Sequence, residues 1–256
     1  MNLAIHSRLT RRLAGGLLVI LAVALIHSPG YTDWGVDVAF GPAFSGYNEV
    51  QVPGDTGTRF SLTEDLSSGP AFSVRGRLTW SPGERHHLSA LAAPLRIAAD
   101  GSLDRPLRFG SELFAAGTPL EARYRFDSYR GTYRYDFVRG QRWQFGAGLT
   151  GKVRSASITV RGDGREAQTS DLGFVPLVHV RGQWMAAAPI RVLVEADGLA
   201  APQGRALDAL VALVYDVDPR LGLTLGYRIL EGGADVEQVY NFALVHYGVV
   251  GLKVAL

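Results

Sequence analysis

The chemistry open to this chain is bounded by six histidines, 24 carboxylates and no cysteine in 256 residues. Without thiols there is no disulfide framework, no thiolate metal site and no cysteine nucleophile. His86 and His87 are adjacent, and neighbours on an extended strand point to opposite faces, so they cannot share a metal or a proton. They read as rim histidines. Glu231, Asp235 and Glu237 gather in a Gly-containing stretch, yet Ca²⁺ needs about six to eight oxygens and the spacing matches no EF-hand loop. A solvated outer loop, or one folding inward to pair with lumen arginines, is expected there, and neither a metal nor a cofactor.

Arginine is the more informative residue. Only two of the 26 basic side chains are lysine, and the guanidinium is a planar, permanently charged fork suited to carboxylate and phosphate. The placement of these charges depends on the elements that carry them. From Trp34 onward the chain alternates with period two, which sends successive side chains to opposite faces of a strand. Trp34, Val36, Val38 and Phe40 oppose Gly35, Asp37, Ala39 and Gly41. Phe72, Val74, Leu78 and Trp80 oppose Ser73, Arg75, Arg77 and Thr79. The same rhythm recurs through Trp143 to Thr150, Ile190 to Asp197, Leu221 to Ile229 and Val250 to Leu256.

Charges sit opposite the oily stripes. The set read as a lumen charge network is Asp37, Arg75, Arg77, Glu121, Arg123, Arg125, Arg134, Asp136, Lys152, Arg154, Arg191, Glu195 and Arg228, with Arg181, Lys253, Asp197 and Asp208 in the same phase. A dry sandwich core cannot hold so many ions. A wet lumen can, and a membrane leaves strands viable only in a sheet without edges. The expected fold is therefore all-β: an antiparallel up-and-down transmembrane β-barrel.

Turn signals of two sizes separate the strands. Short ones fall at Ser81–Glu84, Ala116–Pro119, Arg139–Gln141, Ala187–Pro189 and Asp218–Pro219. Longer ones run over 46–69, 100–105, 162–170, 198–204 and 231–240. The strands so delimited are 34–46, 71–80, 86–98, 106–115, 119–126, 129–138, 142–161, 171–185, 189–197, 205–216, 220–231 and 240–256. That is about twelve, with ten as the fallback, because the alternation changes phase at Phe126-Asp127-Ser128-Tyr129, as a tight turn or a bulge would make it.

The continuously apolar run Leu13 to Ile26 is too short for a spanning helix, which needs about 20 residues. Arg8, Arg11 and Arg12 precede it and Ala22-Val23-Ala24 near its end offers the small residues a signal peptidase reads, so residues 1–24 are expected to be a cleaved signal peptide and 25–256 a single barrel domain. The leader carries three of the 26 basic residues and no carboxylate, which leaves 23 basic against 24 acidic side chains. The overall basicity thus implies no nucleic-acid partner.

The leader, the alternating strands, the asymmetric turns and the terminal run Val250-Gly251-Leu252-Lys253-Val254-Ala255-Leu256 together resemble bacterial outer-membrane β-barrel proteins over the whole mature chain. Gly46-Tyr47-Asn48, Gly57-Thr58-Arg59-Phe60-Ser61-Leu62, Gly173-Phe174-Val175-Pro176-Leu177 and Glu231-Gly232-Gly233-Ala234-Asp235 resemble uncharacterised members of that class. The resemblance implies outer-membrane localisation, with membrane lipid and the barrel-insertion machinery as partners. Leu256 departs from the aromatic residue with which such chains usually end.

The function expected is non-enzymatic: a barrel with an Arg-rich lumen, either a narrow channel for small polar or anionic solutes or a closed structural barrel. The alternative is a lipid-handling barrel enzyme. Outer-membrane phospholipases resemble the chain in size but rely on a His and a Ser one residue apart, whereas His179 is followed by Val180-Arg181 and His246 by Tyr247-Gly248. A soluble periplasmic barrel with its apolar stripes turned inward is a third possibility. Oligomeric state is not legible.

Overall fold

The computed structural model describes residues 32–256, so the leader expected over 1–24 lies outside the described residues. In chain order the strands are β1 (Thr32–Gln51), β2 (Phe60–Ser61), β3 (Leu66–Ser68), β4 (Ala71–Pro82), β5 (His86–Gly101), β6 (Leu107–Phe109), β7 (Glu112–Phe114), β8 (Leu120–Arg139), β9 (Trp143–Gly162), β10 (Arg165–Ala187), β11 (Ile190–Ala201), β12 (Gly204–Asp216), β13 (Leu221–Val236) and β14 (Val239–Ala255). Ten of them, β1, β4, β5 and β8 to β14, pair antiparallel with their neighbours, and β14 returns to pair with β1 from Gly35↔Ala255 to Gln51↔Tyr240. The wall is closed where all ten strands pair, so no edge strand is left to satisfy at that level.

Ten, the lower of the two expected counts, is the number that forms the wall. The segment expected as a strand over 106–115 folds instead as the separate hairpin β6–β7. The segments 119–126 and 129–138 are one strand: β8 pairs with β5 from Gly101↔Leu120 to His86↔Tyr135 with no shift of register. Neither turn nor bulge occurs at Phe126 to Tyr129, and the shift on this strand lies lower, between Asp136 and Val138.

What changes at Tyr129 is the environment. Below it the outward residues Tyr129, Tyr133 and Tyr135 belong to an exposed apolar belt that includes Phe72, Leu149, Val211 and Leu225. Above it the outward residues are Asp127, Arg125, Arg123 and Glu121, while the inward ones, Phe126, Tyr124, Ala122 and Leu120, are apolar and mostly buried. The chemical sense of inside and outside inverts along an unbroken strand.

The belt ends on stacked aromatics at the short-turn rim, including Trp34 on Trp80 (centroids 6.2 Å apart) and Trp143 on Trp184 (5.7 Å). Such girdles mark membrane–water boundaries. Strands β8 and β9 have 20 residues and β10 has 23, against the roughly 9–11 that span a bilayer at a tilt. Their surplus stands beyond the belt on the side opposite the girdle.

Three segments expected as long loops on that far side, 162–170, 198–204 and 231–240, are tight hairpins in which Gly162 pairs Arg165, Ala201 pairs Gly204 and Val236 pairs Val239. Asp163-Gly164 has positive φ at both residues (50° and 70°), as a two-residue hairpin that follows strand twist requires. The real loops there are 52–70 and 102–119. They pack Phe60, Leu62, Leu66, Leu103, Leu107, Phe109 and Phe114 onto the inner faces of β1, β5, β8 and β9 at Val50, Ile97, Tyr124 and Val160. Phe60 meets Phe109 edge to face. The bore is capped by apolar side chains at this end.

Candidate functional site

At mid-height the inward positions carry charge, and these charges bond across the bore. Arg130 of β8 donates to Asp197 Oδ2 of β11 at 2.8 Å, to Asp208 of β12 and, through Nε, to Ser128 Oγ. Arg228 of β13 holds both oxygens of Asp208, at 2.6 and 2.5 Å. Arg77 of β4 grips Glu195 of β11 with both guanidinium nitrogens. Arg75 and Arg181 approach the same carboxylate at 3.7 and 3.6 Å. Asp197 Oδ1 also accepts from Thr150 Oγ1 and lies 2.8 Å from His179 Nδ1. Since β4 and β11, or β8 and β12, are not neighbours in the wall, these bonds cross the lumen as a septum.

The septum is dry. The side chains of Arg130, Asp197, Asp208 and Glu195 are 1 to 5% exposed. Ions so buried persist only when mutually paired and hydrogen-bonded. Small inward residues make room for them: a Cβ on Gly146 would lie 2.1 Å from Asp136 Oδ1 and 2.9 Å from Arg134 Cδ. Arg134 and Asp136 bond to each other there, and His87 Nε2 lies 2.9 Å from Asp136.

On the girdle side of the septum is a cavity of ≈ 340 Å³ whose lining holds eight Arg and Lys side chains against five Asp and Glu. Asp37, Arg75, Arg77, Arg134, Asp136, Arg191, Glu195 and Arg228, all expected in the lumen network, line it, as do Arg181 and Lys253. Lys152 and Arg154 line a second chamber of ≈ 270 Å³ on the far side. The other three do not join them. Glu121, Arg123 and Arg125 lie on the outer face of β8, where Arg125 bonds Ser155 and faces Asp127; they were placed inward because two strands with a phase change were read where one runs through.

The residue at the centre of the septum, Arg130, was not singled out from the sequence, although its parity with Arg134 on the same strand is the signal that finds it. His179 was set aside because no serine follows it. Its role here is to share Asp197 with Thr150 and Arg130. No cluster of three or more His, Asp or Glu side chains fit to hold a metal occurs among the described residues.

Beyond the belt, Asp65 anchors the cap. It accepts from Arg105 and from the Ser61 N–H. Burial pushes its carboxyl pKa up, but the Arg105 guanidinium and the Ser61 amide outweigh burial and hold it below the ordinary value.

Among solved structures, the outer-membrane protease OmpT of Escherichia coli superposes with a TM-score of 0.58 at 10% identity, covering 88% of this chain and 97% of that one. The fold is that of a bacterial outer-membrane β-barrel. The translocator domain of the autotransporter NalP of Neisseria meningitidis (TM-score 0.43, 12% identity, 98% of each chain) and Ail of Yersinia pestis (0.41, 9%, 87% and 99%) are more distant. No protein-family model and no curated protein matches the sequence. At such identities the likeness extends to the outer-membrane barrel fold alone, so function must be argued from the bore.

Proposed function

We propose that this chain is a non-enzymatic outer-membrane barrel, closed at rest, whose Arg-rich vestibule on the short-turn side takes up small anionic solutes. The observation that carries this reading is the bridge from Arg130 on β8 to both Asp197 on β11 and Asp208 on β12, which spans the bore between strands that are not neighbours. The excess of cations lining the vestibule supplies the preference for anions, since guanidinium forks bind carboxylate and phosphate in two-point fashion. The exposed apolar belt and its aromatic girdle support a membrane location, and the long loops 52–70 and 102–119 on the opposite rim support a periplasmic orientation of the vestibule.

Planar-bilayer recording tests this. The native barrel is expected to show no steady conductance, and Arg130→Ala to open anion-selective events by unlinking β8 from β11 and β12. Steady conductance of the native protein, or cation selectivity in the variant, would refute the reading.

A further inference from the structure

Two ladders of the wall part before the strands end, each at a proline. The Met185 N–H donates to Arg142 O beside β9, so alternation along β10 turns the N–H of even-numbered residues toward β11. The last β10–β11 pair is Val178↔Gly198, and the next even residue is Pro176, which has no N–H to leave orphaned in lipid. Across the barrel, the Asp136 N–H donates to Arg85 O, which turns even residues of β5 toward β4. That ladder ends at Gly76↔Ala92, and the next even residue is Pro94. The β4–β5 seam is then covered by β3 on Ala99 to Gly101 and by the Gly69 N–H on Ala98 O. No strand of the described residues pairs across the β10–β11 seam above Val178.

That open seam leads to the ≈ 270 Å³ chamber, whose lining includes Phe174 and Pro176 on one lip, Leu199 on the other, and Leu95, Leu230 and Val245 within. Phe174 is 70% exposed and stands at the upper margin of the belt. The chamber also holds Lys152, which is 3% exposed, rests its Nζ over the Phe126 ring and forms no ion pair among the described residues. Asp208, a carboxylate of the septum, is already bound by Arg130 and Arg228. A lined apolar space with one unpaired buried cation is the complement of an acyl chain with an anionic head.

We propose that the β10–β11 seam is a lateral portal through which an anionic single-chain amphiphile, an acyl chain ending in carboxylate or phosphate, moves from the adjoining leaflet into this chamber and sets its head against Lys152. The inference rests on the membrane location given above but not on the closed septum. The probe is cis-parinaric acid, with its methyl ester as the uncharged comparison, added to the purified barrel in lipid vesicles. Folding of each variant is established first by the shift in gel mobility on heating.

Parinarate is expected to bind, and folded Lys152→Gln to weaken it about tenfold, as losing one charge-assisted contact does, while ester binding stays unchanged. Arg123→Gln on the outer face should change neither. Equal binding of acid and ester, or no difference between Lys152→Gln and Arg123→Gln, would overturn the head-group assignment. Leu199→Trp should slow uptake of probe dissolved in the vesicle leaflet and spare probe delivered from water in detergent micelles. The converse, or no effect, would overturn the lateral route. A native chain that stays soluble without detergent would remove the membrane location and the portal together, whereas an inserted barrel that binds no parinarate removes the portal alone.

Discussion

Arg130 shows how much one side chain determines here. It satisfies two carboxylates that have no water to fall back on, so its removal strands Asp197 and, in part, Asp208 in a dry interior. Breaking a buried pair by deleting one partner costs about 3–5 kcal/mol, and Arg130→Ala should lower unfolding stability in urea by that amount, read from tryptophan fluorescence of the vesicle-bound barrel. Asp208→Asn should cost a comparable amount, because Arg130 keeps Asp197 but the buried Arg228 loses the carboxylate that holds it. Asp65 acts at the same scale on the cap. Its folded pKa lies below the ordinary 3.8, so its contribution is present above that value and is lost as the pH falls through the folded pKa. Loop 52–70 should therefore resist protease at neutral pH and open only as the pH falls below the ordinary carboxyl value and through the lower folded pKa. Asp65→Asn should make the loop equally open at both, and acid resistance of the parent loop would contradict the assignment.

Strand β8 shows what a sequence can and cannot disclose about an element. Its lower half was legible because lipid outside and ions inside give the two faces opposite chemistry. Its upper half misled for the same reason: beyond the belt, water lies outside and the apolar cap inside, so the pattern flips while the backbone does not. The expected break at Phe126 to Tyr129 was this change of surroundings, and Glu121, Arg123 and Arg125 followed it to the wrong face. The hairpins at 162–165, 201–204 and 236–239 were hidden likewise, since strands rising into water on their outer face are rich in the Gly, Asp and Arg that otherwise signal loops. Most of the inward charges were found, but not the cross-bore partnerships, because a period of two gives the face of a residue and not which distant strand it meets. The inversion is testable by two substitutions on one strand. Tyr133→Arg places a charge in lipid and should cost about 2–4 kcal/mol in reversible unfolding. Arg123→Leu, in water, should stay within about 0.5 kcal/mol, and comparable effects from both would mean that the belt does not end at Tyr129.

For the molecule as a whole, closure of the sheet and continuity of its wall are separate matters. Pairing of β1 with β14 removes every free edge at the level of the belt, yet above Val178 and above Ala92 the wall divides into two curved sheets. One comprises β5, β8, β9 and β10; the other runs from β11 through β14 and β1 to β4. The two stay joined by the septum below and, on one side only, by β3 and the cap. Amide hydrogen exchange reads this division directly. On β10 above the seam, Val175, Gly173 and Asp171 turn their N–H groups to β9 and should be protected, whereas Phe174, Leu172 and Ser170 turn theirs to the missing partner and should exchange quickly. Below Val178 both sets should be slow. On β5 the covering strand should blunt the contrast, so that Ala98 and Asp100 exchange more slowly than Phe174 and Leu172. Uniform protection along β10 would mean that the ladder to β11 continues above Pro176 in the membrane, and a period-two pattern confined to the β10–β11 side would locate the weak line of the wall at the chamber that holds Lys152.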